Sequence, residues 1–161
     1  MSSFEDLDGK VAVVTGGAAD SASGWLCRVR PAPTLRRNNV SSNSDLVVEA
    51  MTAFFINRDA TALEKYWAPD YAQHNPTMPD GTAALAPALD MLPPNFSYEI
   101  GHVAAEGDLV FVHGRYTNMG PTPTVAVDIF RVVDGKIVEH WDVPQPEEQN
   151  TASGRQMFEP R

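Results

Sequence analysis

The sequence predicts an α+β fold, with helices first and an antiparallel sheet after them. Up to Leu92 the apolar residues recur at the spacing of helices, and from Phe96 the period changes to two and stays there. The repeated strand and helix units that a doubly wound sheet needs do not occur in the chain. With 161 residues, 43% of them apolar, there is length for one domain with a real core plus some unstructured chain.

Residues 1–43 read as a leader and linker. Within them Leu7 to Gly17, LDGKVAVVTGG, resembles the opening strand and glycine turn of short-chain dehydrogenases. That family continues Thr-Gly-x-x-x-Gly-x-Gly into a helix whose N-terminus holds the cofactor pyrophosphate; after Thr15-Gly16 the next two glycine positions are Asp20 and Ala22. An aspartate there repels phosphate. Pro31, Pro33 and a polar stretch to Ser44 then replace further strand and helix units, so a dehydrogenase-like remnant without an NAD(P) site is expected.

The folded domain is expected over residues 44–146. Ser44 caps a helix with Asp45 in its first turn, and Leu46, Val47, Ala50, Met51, Phe54 and Phe55 make its apolar face. A second helix begins at Asp59 or Thr61, presents Leu63, Tyr66 and Trp67, and ends at Pro69. Tyr71 to Asn75 is a short extended piece, and Thr82 to Leu92 a third helix in which Pro87 marks a kink or an earlier boundary. Tyr98, Ile100, His102 and Ala104 then alternate toward a turn at Glu106-Gly107-Asp108, and Leu109 to Thr117 is the next strand. The tail, residues 147–161, is polar enough to be loose, with Met157 and Phe158 able to dock on the body or a neighbour.

Val125 to Gln145, VAVDIFRVVDGKIVEHWDVPQ, is a β-hairpin carrying three ionisable groups on an apolar frame. A three-residue loop over Val133, Asp134 and Gly135, with a glycine bulge, sets Asp128 opposite His140, Phe130 opposite Val138 and Ala126 opposite Asp142. Asp128, Phe130, Val138, His140 and Asp142 then share one face. A two-residue Asp-Gly turn slips the register by one and sends His140 and Asp142 to the other face. The longer loop is preferred because the tight turn needs positive φ at an aspartate.

A formal charge of −9 disfavours nucleic acid and anionic membrane as partners. Arg28, Arg30, Arg36 and Arg37 cluster near the N-terminus and read as a solvated linker. No apolar run reaches the roughly 18 residues of a transmembrane helix, and no secretory signal is recognised. One cysteine, Cys27, allows no internal disulfide, which agrees with a cytoplasmic location.

The order of elements is similar to the cone-shaped fold of nuclear transport factor 2-like proteins. YAQHNP at Tyr71 to Pro76, AEGDLVFVH at Ala105 to His113 and VDIFRVVDGKIVEHWDV at Val127 to Val143 resemble its SnoaL-like branch, the polyketide cyclases, over about Asp45 to Gln145. The resemblance implies three helices on a curved, mainly antiparallel sheet that encloses a pocket. It also implies aldol-type chemistry without metal or cofactor on a small apolar or polyketide-like ligand, and a homodimer through the outer sheet face. VDIFRV is similar to the ketosteroid isomerase strand whose aspartate is a protonated donor, which implies that role for Asp128. In limonene-epoxide hydrolases the same strand carries Arg-x-Asp, and Ala126 here stands at the arginine position.

Removing a proton beside a carbonyl needs a base and a donor to hold the enolate, and two acids on one apolar wall suit both roles when their environments differ. Asp142 is assigned as general base, His140 as proton partner or enolate donor, and Asp128 as protonated donor. The bland alternative is a satisfied core polar group, with Asp128 bonded to Tyr98 or Tyr116. His74, Asn75 and Phe130 are candidates for substrate contact, and His113 for either contact or packing. His74, His113 and His140 lack the short spacing of zinc ligands, so no metal is expected. A noncatalytic ligand-binding or protein-interaction module on the same fold is the rival reading.

Overall fold

A computed structural model describes residues 40–159, with side chains from Asn43 onward. The dehydrogenase-like stretch, the arginine cluster and Cys27 lie outside the described residues. Three helices, α1 (Val40–Met51), α2 (Ala62–Tyr66) and α3 (Leu85–Asp90), pack on a curved sheet of five strands: β1 (Trp67–Gln73), β2 (Ser97–Glu106), β3 (Leu109–Thr117), β4 (Thr124–Val133) and β5 (Lys136–Pro146). Their spatial order is β1-β5-β4-β3-β2, antiparallel except where β1 runs beside β5 in parallel. Among the described residues no helix is long and apolar enough to cross a membrane.

The apolar stripe of α1 is buried as its spacing predicts: Val47, Ala50, Met51 and Phe54 are all under 4% exposed. The helix starts at Val40, however, so Ser41 to Ser44 is helical rather than the end of a linker. After Met51 the helix widens into a π-turn, Thr52–Ile56. The extra residue per turn rotates the following side chains, and here Phe54 and Phe55 both reach the cavity, edge to face at 4.9 Å.

α2 is shorter than expected. Asp59 stands before it and accepts from the Thr61 amide and hydroxyl at 2.9 and 2.6 Å. Trp67 belongs to β1, not to the helix face, and β1 runs through Pro69, which an edge strand tolerates. Likewise α3 covers only Leu85–Asp90, with Pro87 inside its first turn, where no intrahelical amide bond is lost. In β2 the alternation resets between Ile100 and Val103. Ile100, Val103 and Ala105 therefore pack on the core, while His102 and Ala104 are exposed.

The β4–β5 hairpin corrects the expected register. Val133 pairs with Lys136, so the loop is the two-residue Asp134-Gly135 turn, with φ of 50° and 73°. Asp134 accepts the left-handed conformation that aspartate tolerates better than most residues. Val132 pairs with Ile137 but Arg131 with Glu139, leaving Val138 as an unpaired bulge. Asp128 consequently faces Asp142 and Phe130 faces His140, in place of the expected Asp128–His140 and Phe130–Val138 pairs. The turn and the bulge each shift parity by one, and the two shifts cancel. Asp128, Phe130, His140 and Asp142 therefore share the inner face despite the different register.

The tail docks rather than hanging loose. Phe158 is 7% exposed, its ring 5.2 Å from His113 and 4.6 Å below the Arg115 guanidinium.

Gly135 has open space around it, so only its φ restricts replacement. Gly135→Ala is expected to cost about 1 kcal/mol through the left-handed conformation alone, whereas Asp134→Asn should be near neutral. Urea midpoints at fixed denaturant slope check both.

Candidate active site

Between the helices and the inner sheet face lies a cavity of about 290 Å³. Met51, Phe54, Phe55, Trp67, Leu89 and Phe130 give it apolar walls, and the polar groups gather where β1, β4 and β5 meet. A mainly apolar cavity with a few convergent polar groups has the form of a small-molecule site.

Asp128, in the middle of β4, is 3% exposed. The Tyr116 hydroxyl of β3 donates to its Oδ2 at 2.8 Å, and His140 Nε2 lies 3.2 Å from its Oδ1. The tyrosine partner foreseen in the bland alternative is therefore present, together with the histidine. Phe130 is stacked on the His140 ring at 4.8 Å and fixes its plane. Asp142, opposite Asp128, is only partly buried. Asn75 donates to its Oδ2 through Nδ2. The Asn75 amide is itself oriented, because the Thr77 amide and hydroxyl both donate to its Oδ1, at 2.9 and 2.6 Å. No described residue hydrogen-bonds Asp142 Oδ1.

Asp128, His140, Asp142, Asn75 and Phe130 thus line one cavity; His74 and His113 do not. His74 points to the outer side, with Nε2 2.9 Å from Glu139 Oε1 and its ring stacked on Trp141 at 4.7 Å. The hydrogen bond from Arg131 first, and then that from His74, hold Glu139 below the usual carboxylate range. His113, on the outer face of β3, is covered by Phe158 and stacks with His102 at 6.1 Å. Both histidines are corrections to the expected substrate contacts: the alternation of β3, and that of β1 carried one residue past its end at Gln73, put them on the outward parity.

Gln73 and Tyr71 were not foreseen. Gln73 Oε1 lies 2.9 Å from His140 Nδ1, and Gln73 Nε2 donates to the Tyr71 hydroxyl at 3.0 Å. The signal was available: in YAQHNP, Tyr71, Gln73 and Asn75 are two apart, so if Asn75 faces the pocket, Gln73 does too.

Burial lifts the phenols of Tyr71, Tyr98 and Tyr116 above their ordinary value, and the charge of Asp128 lifts each further. The unfolded chain releases these protons near pH 10, while the folded protein still holds them. Their contribution to stability is fully present below about pH 10 and falls as the pH rises beyond it. Denaturation midpoints should therefore drop steeply between about pH 10 and 11.5. Phenolate absorption from these three residues should appear with unfolding and not before it.

The SnoaL-like domain family matches residues 48–140. No curated relative matches the chain. Among solved structures, a candidate ketosteroid isomerase from Kribbella flavida DSM 17836 aligns with TM-score 0.59 and 20% identity, over 76% of this chain and 91% of that one. A candidate SnoaL-like polyketide cyclase from Jannaschia sp. CCS1 aligns with TM-score 0.55 and 19% identity, over 70% and 91%. An epoxide hydrolase of the LEH-like kind from M. tuberculosis aligns with TM-score 0.53 and 20% identity, over 66% and 85%. At these identities the structural likeness establishes the fold.

Proposed function

Since the chain belongs to the SnoaL-like domain family, whose match covers more than half of its length, we propose that it is a cofactor-independent enzyme acting at a carbon next to a carbonyl. One observation carries the reading: Asp142, Asp128 and His140 converge on a single, mostly apolar cavity. Asp142 is the general base, acting through the Oδ1 that no described residue engages while Asn75 holds the other oxygen. His140 and Asp128 face the ligand oxygen as a hydrogen-bonding pair. Phe130 and the apolar walls hold the ligand's hydrocarbon body.

In the first step the C–H bond beside the carbonyl breaks, the proton passes to Asp142, and the electron pair moves to the carbonyl oxygen as an enolate. The proton that Asp128 and His140 share turns to that oxygen in place of the pair's own hydrogen bond, in a mostly apolar site. Where the enolate is conjugated with a carbon–carbon double bond, return of the proton to the far carbon of that dienolate shifts the double bond and gives an isomer. Attack of the enolate carbon on a second carbonyl of the same ligand closes a ring, as the π bond of that carbonyl breaks toward its oxygen and the resulting alkoxide takes the proton held by Asp142. The ligand class is a small apolar ketone or polyketide-like compound.

Proton abstraction can be read before the full substrate is known. Incubation with a panel of cyclic ketones and β-diketones in D₂O, followed by proton NMR, reports exchange at the carbon beside the carbonyl. Asp142→Asn is expected to lower that exchange by about 10²- to 10⁴-fold, the usual contribution of a positioned base, with the fold unchanged by circular dichroism. Exchange that survives in the variant removes Asp142 from the mechanism; ligand binding without exchange in the parent protein makes it a binding module.

We also propose a homodimer through the outer sheet face. Val127 and Val143, paired across β4 and β5, are 37% and 67% exposed there and give that face apolar surface for a second copy to cover. Val143→Asp should shift sedimentation from dimer to monomer, and a monomeric parent protein would refute the assembly.

A further inference from the structure

We propose that Gln73 is a positioning residue that sets which ring nitrogen of His140 carries hydrogen, and thereby keeps a proton between His140 and Asp128. Gln73 ends β1 and pairs with His140 in the parallel ladder, so the two side chains lie side by side on the inner face. The orientation of its amide follows from a partner that can only donate. The Asn75 backbone N–H points at one terminal atom of Gln73 at 3.0 Å, so that atom is the oxygen. The other terminal atom is then the NH₂, which donates to Tyr71.

The same oxygen lies 2.9 Å from His140 Nδ1. Two acceptors at that distance would repel, so Nδ1 carries hydrogen and donates to Gln73. His140 Nε2 then faces Asp128 Oδ1 with two available states. Either the imidazole is neutral and takes a hydrogen bond from a protonated Asp128, or it is an imidazolium that donates to an ionised Asp128. Both states hold the same number of protons, and in both the pair carries no net charge. Tyr116 satisfies the remaining carboxyl oxygen.

Without the acceptor at Nδ1, His140 is free to take the other neutral tautomer. Nε2–H would donate to an ionised Asp128, and the pair would hold one proton fewer and a net negative charge. That charge would sit opposite Asp142, two residues along the sheet from His140. The other ring neighbours, Phe130 at 4.8 Å and Tyr71 at 6.4 Å, stack on the imidazole face and do not compete for Nδ1. Gln73 thus controls proton content without touching the reacting atoms. The catalytic consequence rests on the proposed reaction; the tautomer does not.

The test is ¹⁵N NMR of histidine-labelled, full-length protein near neutral pH, with His140 assigned through His140→Gln. The parent protein is expected to show hydrogen on Nδ1, and Gln73→Glu, which keeps an acceptor at the same reach, should retain it. Gln73→Met, similar in size but with no comparable acceptor, should move the Nδ1 resonance from the protonated to the unprotonated range. A bare Nδ1 in the parent protein overturns the proposal whether or not any variant folds, and so does a folded Gln73→Met protein that keeps hydrogen on Nδ1. Because the spectra need no substrate, absent exchange chemistry alongside the expected tautomers would defeat the proposed reaction and leave this assignment standing.

Discussion

The parity of the β4–β5 ladder decides which side chains see the cavity, and two local devices set it. The Asp134-Gly135 turn starts the pairing, and the bulge at Val138 moves it by one residue before the ionisable groups are reached. With the turn alone, Asp128 would oppose Trp141, and His140 would leave the inner face. The bulge also lets Ile137 and His140, an odd number of residues apart, both point inward. Ile137 is fully buried in the core, which locks this arrangement: removing the bulge would require either that side chain or the imidazole to face water.

From that ladder a hydrogen-bond chain extends across four strands. Tyr116 of β3 bonds Asp128 of β4, Asp128 meets His140 of β5, and Gln73 of β1 links His140 to Tyr71. The members of this hydrogen-bond chain are buried or partly buried, and from Tyr116 to Gln73 each finds a partner in the next strand. Deleting any one leaves a neighbour unsatisfied, at a cost of about 1–3 kcal/mol beyond the bond itself. β1 has most to gain from this chain. It is an edge strand with an interrupted register, pairing at Trp67 and then only from Ala72 onward. Side-chain bonds at Gln73 and Asn75 therefore fasten its end to the sheet at the place where the cavity needs a rigid wall.

Much of this was legible in the chain. The stripe from Leu46 to Phe55, the change of period at Phe96 and the common face of His140 and Asp142 follow from spacing alone, whereas Asp128 joins that face only through the turn and the bulge together. Spacing says nothing about bulges, which depend on what the neighbouring strand and the core require. Val138 looks like any other strand valine, and the register was accordingly misplaced. The preference against positive φ at Asp134 was a sound local rule that lost to the pairing of two long strands. His74 and His113 were misplaced for a different reason. Their residue type suggested chemistry, while their parity relative to Asn75 and Phe111 put them outside. Gln73 was overlooked because a glutamine has no reactivity of its own; its importance arises only from which atom it presents to a histidine.

Two carboxylates directly opposed on one apolar face would repel if both were bare. The surroundings of this pair are unequal in the manner that relieves the conflict. Asp128 is buried, engaged at both oxygens and matched by an imidazole, so with its partner it forms a unit that can be neutral. Asp142 is partly exposed, held at one oxygen by an amide and open at the other. An amide donor suits a carboxylate, and the open oxygen is the one a ligand can reach. The division of labour between two chemically identical side chains therefore comes from their neighbours: an imidazole and a phenol for one, an asparagine and access to the cavity for the other.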